Sequence, residues 1–309
     1  MINFRYHVVS LTAVFLALAV GMVLGTAALN GPLTEDLFDE TQALRKSNGQ
    51  FRDEVANLED ELARGDEFVK DVAPLLLDSR LAGRRVVLLA MPGADDGALQ
   101  GVVENLRLAK ASLTGTVRFT DLFTAPKNRE DARDLATRLL PPNIDEIPSD
   151  ADGVTASALL LAGVLLEQQP AVAAGDRTAV LTGYQQEGLI EVEKKITQSA
   201  QGVVIVTDLP AAEQSDATDR NVAVLAAIKQ FSSVGSVVAG RSSGGDSSPV
   251  AAIRNDPTLH GSVSTVDNVN TSLGQLAAVL ALVQRFTDRK TGHYGIGDGA
   301  DGRIPKPGA

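Results

Sequence analysis

The chain has no cysteine among its 309 residues. That removes disulfides, thiolate metal sites, cysteine nucleophiles and lipoprotein-type acylation together, although it assigns no compartment, because many proteins on either side of a membrane do without disulfides. Tryptophan is missing as well and aromatics make up only 4%, so a core has to be built from Ala, Val, Leu and Ile. Basic clusters are lacking: 28 Lys and Arg stand against 39 Asp and Glu, a net charge of −11, and with Arg5 the single charge in the first thirty residues the remainder carries −12. So acidic a chain is a poor match for phosphates, which argues against a nucleic-acid partner and against a seat on anionic lipid headgroups. No G-x-G-x-x-G follows the first strand, and there is no Walker loop and no Gly-x-Ser-x-Gly elbow. Dinucleotide binding, nucleotide binding and triad hydrolysis are unsupported, and the sequence reads as a non-enzyme.

Charge is also missing from Val8 to Leu29, and there the absence is informative. A helix of 22 residues spans about 33 Å, enough for a bilayer core of about 30 Å. Arg5 and His7 precede it and Glu35, Asp36, Asp39 and Glu40 follow, which places the N-terminus on the cytoplasmic side and the rest outside. A cleaved signal peptide, with Thr26-Ala27-Ala28 as its site, is the rival reading, and a buried core helix the third. The run exceeds the usual signal h-region of roughly 7–15 residues, which favours an uncleaved anchor over residues 1–30. Ala13, Ala17, Gly21 and Gly25 recur every fourth residue and form a ridge of small side chains suited to helix pairing in a membrane.

A heptad repeat follows over residues 33–73. Leu37, Leu44, Phe51 and Leu58 take the d positions, and Thr41, Asn48, Val55, Leu62 and Val69 the a positions. Asn48 is a register-setting residue of parallel dimers, and Glu40 can reach Arg45 of a partner, whereas Glu54 faces Glu59 unfavourably. The repeat weakens at Gly65. A parallel homodimeric coiled-coil stalk is expected; the alternative is a lone amphipathic helix packed on its own domain.

From residue 84 to 290 short Val-, Ile- and Leu-rich runs alternate with helical patterns. VVLLAM (86–91), GTVRFTDLF (115–123), GVVIVTDLP (202–210), SVVAGR (236–241) and SVSTVD (262–267) read as strands. Helices are expected near 95–112, 129–140, 153–167, 176–187, 218–232 and 271–288. Continuously apolar strands imply a sheet covered on both faces, so the fold class is α/β, a parallel three-layer sheet. Residues 291–309 read as an irregular Gly- and Pro-rich tail.

Ligands of such sheets meet the carboxyl ends of the strands. The turns there hold Asp95, Asp96, Asp208, Arg241 and Asp267. The aspartates could converge on a divalent ion, but Asp after a strand is more often a helix cap. Gly240 to Ser248 could cradle an anion, or be a plain loop. His7, His260 and His293 lie far apart in sequence, which argues against a histidine cage. His293, in Gly-His-Tyr-Gly, is the one metal candidate, beside the reading as a hydrogen-bonded turn histidine.

MINFRYHVVSLTAVFLALAVGMVLG (1–25), RRVVLLAMPGADD (84–96), VVAGR (237–241), STVDN (264–268) and GHYGIGDGA (292–300), in that order, resemble the actinobacterial copper-transporter family MctB. The resemblance implies a role in copper homeostasis or efflux at the cell envelope, in the cell membrane or in the outer membrane, where a pore has been proposed for the family's namesake. Relatives act in cell separation, where a membrane-anchored coiled-coil protein pairs with a second membrane protein to control peptidoglycan hydrolysis, so an adaptor of that kind is the alternative. No cofactor is expected, copper entering by resemblance alone. Cu(I) favours sulfur ligands, and Met1, Met22 and Met91 form no cluster in sequence. The strands are continuously apolar, unlike the alternating strands of a membrane barrel. An indirect, scaffolding part in copper handling is therefore expected.

Overall fold

The computed structural model describes residues 4–29, 32–208, 216–232, 235–241 and 248–306, with side chains 27–39 outside the description. The chain divides into two compact units, residues 1–65 and 66–309. The first contains α1 (Phe4–Leu29) and the larger part of α2 (Pro32–Leu77). Within α1, Phe4–Thr26 is long and apolar enough to cross a membrane, and none of it is buried. Its large side chains, such as Leu11, Phe15, Leu18 and Met22, are all exposed.

The second unit is built on a seven-stranded sheet. Its elements are β1 (Arg85–Ala90), α3 (Asp96–Leu108), β2 (Ser112–Phe119), α4 (Asp121–Thr124), α5 (Arg129–Arg138), α6 (Gly153–Leu165), α7 (Ala174–Gln186), β3 (Ile190–Val192), β4 (Gly202–Val206), α8 (Ala217–Gln230), β5 (Gly235–Ala239), α9 (Pro249–Asn255), α10 (Pro257–His260), β6 (Ser264–Val266), α11 (Ser272–Thr287) and β7 (His293–Tyr294). The strand order is β3-β2-β1-β4-β5-β6-β7. Every neighbouring pair is parallel except β2 with β3.

Successive strand side chains point to opposite faces, and the two faces feed two cores. Val87, Leu89, Val203, Ile205 and Val238 pack against α5 to α8. Val86, Leu88, Ala90, Val204, Val206, Val237 and Ala239 pack against α3, α11 and the end of α2. Each such side chain withdrawn from water contributes about 1.5–3 kcal/mol, which is why these strands are apolar without interruption. The expected three layers are present.

Three features depart from the sequence expectation. The sheet is mixed, because the edge strand β3 runs antiparallel; three residues are too few to leave a periodic signature. The run 115–123 ends as strand at Phe119, and Asp121–Thr124 turns into a short helix that sets Phe123 edge-on against Phe119 at 4.6 Å. The tail is not irregular, since His293 and Tyr294 form β7, paired in parallel with β6. As for α2, it continues through Pro74 to Leu77, and its last turns bury Ala73 and Leu77 in the second core. Asp66 there accepts a hydrogen bond from the Ser272 N–H at the start of α11, at 3.0 Å.

Candidate functional site

The chain leaves β1 for β2 on one side and reaches β4 on the other, so the crevice between the carboxyl ends of β1 and β4 is the topological switch point of the sheet, where open α/β sheets bind ligands. Three predicted residues meet there. Asp95 ends the β1 turn and caps α3, its Oδ1 accepting from the Ala98 N–H at 2.8 Å. Asp208 follows β4, and Arg241 follows β5. The Arg241 guanidinium lies 3.1 Å from Asp208 and 3.8 Å from Asp95. One cation thus sits between the two carboxylates.

The predicted four-aspartate ion site does not form. Asp96 turns to Arg118 at 2.8 Å, an arginine that also holds Glu193 at 2.7 Å. Asp267 lies two strands away from β4, at the end of β6. Among the described residues no group of three His, Asp or Glu side chains could hold a metal. Of the Gly240–Ser248 anion cradle, residues 242–247 lie outside the described residues.

Asp267 is the centre of a second cluster. With Arg254 of α9 it makes an ion pair at 2.8 Å whose side chains are 3% and 4% exposed. Removing such charges from water costs several kcal/mol per ion unless every hydrogen-bonding group is satisfied, and here the cluster is saturated. Asp267 accepts from the Ile296 and Gly297 N–H groups at 2.8 and 2.9 Å. Arg254 donates to the Thr265 hydroxyl at 3.0 Å, and to the Asp298 and Tyr294 carbonyls at 2.8 Å each. The backbone after β7 therefore wraps the carboxylate, and glycine is needed for it: Gly295 has φ +128°, and a Cβ there would collide with Asp267. A cavity of about 180 Å³ adjoins the cluster, lined by Arg241, Ser248, Arg254, Asp267 and the 297–299 backbone.

His293 is buried beneath this wrap. Its Nδ1 is 2.8 Å from the Thr265 hydroxyl and its Nε2 3.2 Å from the His260 carbonyl, so both ring nitrogens are engaged and neither is left for the metal that the sequence suggested. His260 and His293, far apart in sequence, meet here, with ring centroids 4.2 Å apart and planes tilted by 36°. Burial, reinforced by His260 and Arg254, pushes the His293 imidazole below its ordinary pKa. Burial likewise raises the Tyr294 phenol, which donates to Gln284 at 2.5 Å. Sequence reading missed Arg254 and His260. The available signal was the glycine spacing in 292–299, which marks a backbone held close to something.

In the first unit, Ala13, Ala17, Gly21 and Gly25 are exposed along α1, and a Cβ at either glycine would meet open space. Leu44, Asn48, Phe51, Val55, Leu58 and Leu62 are exposed along α2. Leu37 falls outside the described side chains.

The family described as "Copper transport outer membrane protein, MctB" matches residues 1–305. A protein of Mycobacterium tuberculosis (strain ATCC 25618 / H37Rv) named "Copper transporter MctB" is 30% identical over 309 residues, covering 97% of this chain and 98% of its own length. Its namesake in Mycobacterium leprae (strain TN) is 31% identical over 317 residues, with the same coverage.

Proposed function

The chain belongs to the MctB family, and from that premise we propose that it serves copper homeostasis at the cell envelope as a membrane-anchored, non-catalytic component. The end-to-end match to relatives named copper transporters carries this reading. How it would act follows from the residues. Without cysteine, and with Met1, Met22 and Met91 dispersed, the chain offers no soft-ligand cluster for Cu(I). Helices cover both faces of its sheet, so these strands have no lipid-facing side with which to form a barrel. The part in copper handling is therefore indirect: the chain organises other envelope proteins.

Three further features belong to the same reading. Charge asymmetry about α1 puts the N-terminus in the cytoplasm and the α/β domain on the far side of the cell membrane. The exposed seam of Leu44, Phe51, Val55, Leu58 and Leu62 pairs with a second copy in parallel, with Asn48 setting register. The Ala13–Gly25 ridge supports the same pairing in the membrane, and a second membrane protein is the client of the dimer.

Deleting the gene should lower copper tolerance, and the full chain should restore it. Unchanged copper tolerance in the deletion strain would sink the copper reading. Titration of the purified protein with Cu(I) and Cu(II) separates direct from indirect action: tight stoichiometric binding would overturn the indirect mechanism and leave the copper role standing.

A further inference from the structure

The hydrogen-bond roles around His293 fix its tautomer. The His260 carbonyl can only accept, so Nε2 carries the proton. Nδ1 is then an acceptor, and the Thr265 hydroxyl supplies its hydrogen. That hydroxyl already accepts from the Arg254 Nε–H. A single directed chain runs from Arg254 through Thr265 and His293 to the His260 carbonyl, and it holds only while His293 is neutral. A proton on Nδ1 would turn the Thr265 hydroxyl out of the chain. It would also place a second buried charge beside Arg254.

The groups that face the ring come from every side. Arg254 approaches from α9, and its own carbonyl is 3.0 Å from the Nδ1 of His260 on α10. From β6 come Thr265 and, one turn of the network away, Asp267 with its Arg254 pair. From α11, Arg285 is bound to Thr291 just before β7 and Gln284 to the Tyr294 hydroxyl. The only carboxylate on the strand's own segment that contacts the residue is Asp301, whose Oδ2 accepts from the His293 N–H at 2.9 Å. Burial, with Arg254 nearby, outweighs it.

We propose that residues 293–301 form an acid-released strap over the carboxyl ends of β5 and β6, with His293 as the group whose protonation frees it. The strap is held by bonds to the Arg254–Asp267 pair, Arg254 to the Tyr294 and Asp298 carbonyls and Asp267 to the Ile296 and Gly297 N–H groups, and the Thr265 hydroxyl links that pair to His293. Its backbone at 297–299 also lines the cavity beside Arg241 and Ser248. Release therefore opens that cavity and bares the Asp267 carboxylate. The sign follows from linkage: the closed state binds the proton less well than the open one. Closure is fully favoured above the ordinary histidine pKa of about 6.5 and weakens as pH falls below it.

Hydrogen exchange of the full chain in detergent, corrected for the intrinsic pH dependence of exchange, tests this. Protection over 293–301 should fall about ten-fold or more between about pH 7.5 and about pH 5, while peptides of β1 and β4 keep theirs. His293→Gln, which can accept from Thr265 but cannot be protonated, should abolish the difference. His260→Gln, at an exposed position, should preserve it. An equal loss of protection throughout the sheet, a pH difference that survives in His293→Gln, or one that vanishes in His260→Gln would each overturn the proposal. Should His293→Gln fail to fold, the His293 ring resonances decide. Their titration should coincide with movement of the 293–301 amides, and titration without that movement refutes the strap.

Discussion

Helices α1 and α6 are both apolar around their whole circumference, yet they lie in opposite surroundings. In α6, 11 of 13 residues are buried, wedged among α5, α7, α8 and the sheet. In α1, the whole 23-residue span from Phe4 to Thr26 is bare. Composition does not separate them; length and neighbours do. Thirteen residues reach about 20 Å, too short for a bilayer core of about 30 Å, and the alanines and glycines of α6 let other elements close around it. The lesson extends to α2, whose leucines at 44, 58 and 62 are exposed while Leu77 on the same helix is fully buried. An apolar residue in this chain tells that water is avoided, and only its context tells what replaces water.

The comparison can be broken at four points. Leu161→Asp places an unpaired charge in the α6 core and should abolish the cooperative unfolding transition of the α/β domain, a loss of ~4 kcal/mol or more. Leu16→Asp should leave that transition in place and instead shift the protein from the membrane fraction. If the two variants behaved alike, the distinction drawn between the helices would be wrong. Next, Arg254→Met strands the Asp267 carboxylate and should cost about 3–5 kcal/mol in urea unfolding, much of it recovered by adding Asp267→Asn. Replacing Leu44, Phe51 and Leu58 together by Ala should change domain stability by no more than ~0.5 kcal/mol and abolish cross-linking between copies; unchanged cross-linking would remove α2 as the pairing surface. The smallest effect is that of pH. Because the buried His293 is held below its ordinary pKa, its contribution is complete above about pH 6.5 and declines as pH falls, so the melting temperature should drop modestly towards pH 5.5 and less so in His293→Gln.

Much of the domain was legible because its strands are buried on both faces and need unbroken Val, Ile and Leu. The places of β1 and β5 follow from 86–91 and 236–241 to within two residues at either end, and β4 begins where 202–210 does but ends at Val206. Asp95 as a helix cap was readable from its place after a strand. Two short strands were not, since Ile190–Val192 and His293–Tyr294 carry no apolar run that sets them apart and are held by neighbours distant in sequence. The site was half legible. Strand-end logic found Asp95, Asp208, Arg241 and Asp267, but it could not say that Arg241 would join the first two or that Asp267 would be claimed by an arginine from a short helix.

Taken alone, the sequence determined which segments shun water, how long each is and with what period it repeats. Those are local properties, and they suffice for an anchor-length helix, a heptad helix and the buried strands. The tertiary structure alone decided which polar groups meet: Arg241 between two carboxylates, Arg254 with Asp267, His293 beneath His260. Parallel register brings strand ends together across tens of residues, and once inside, a charge must find an opposite partner whatever its distance along the chain.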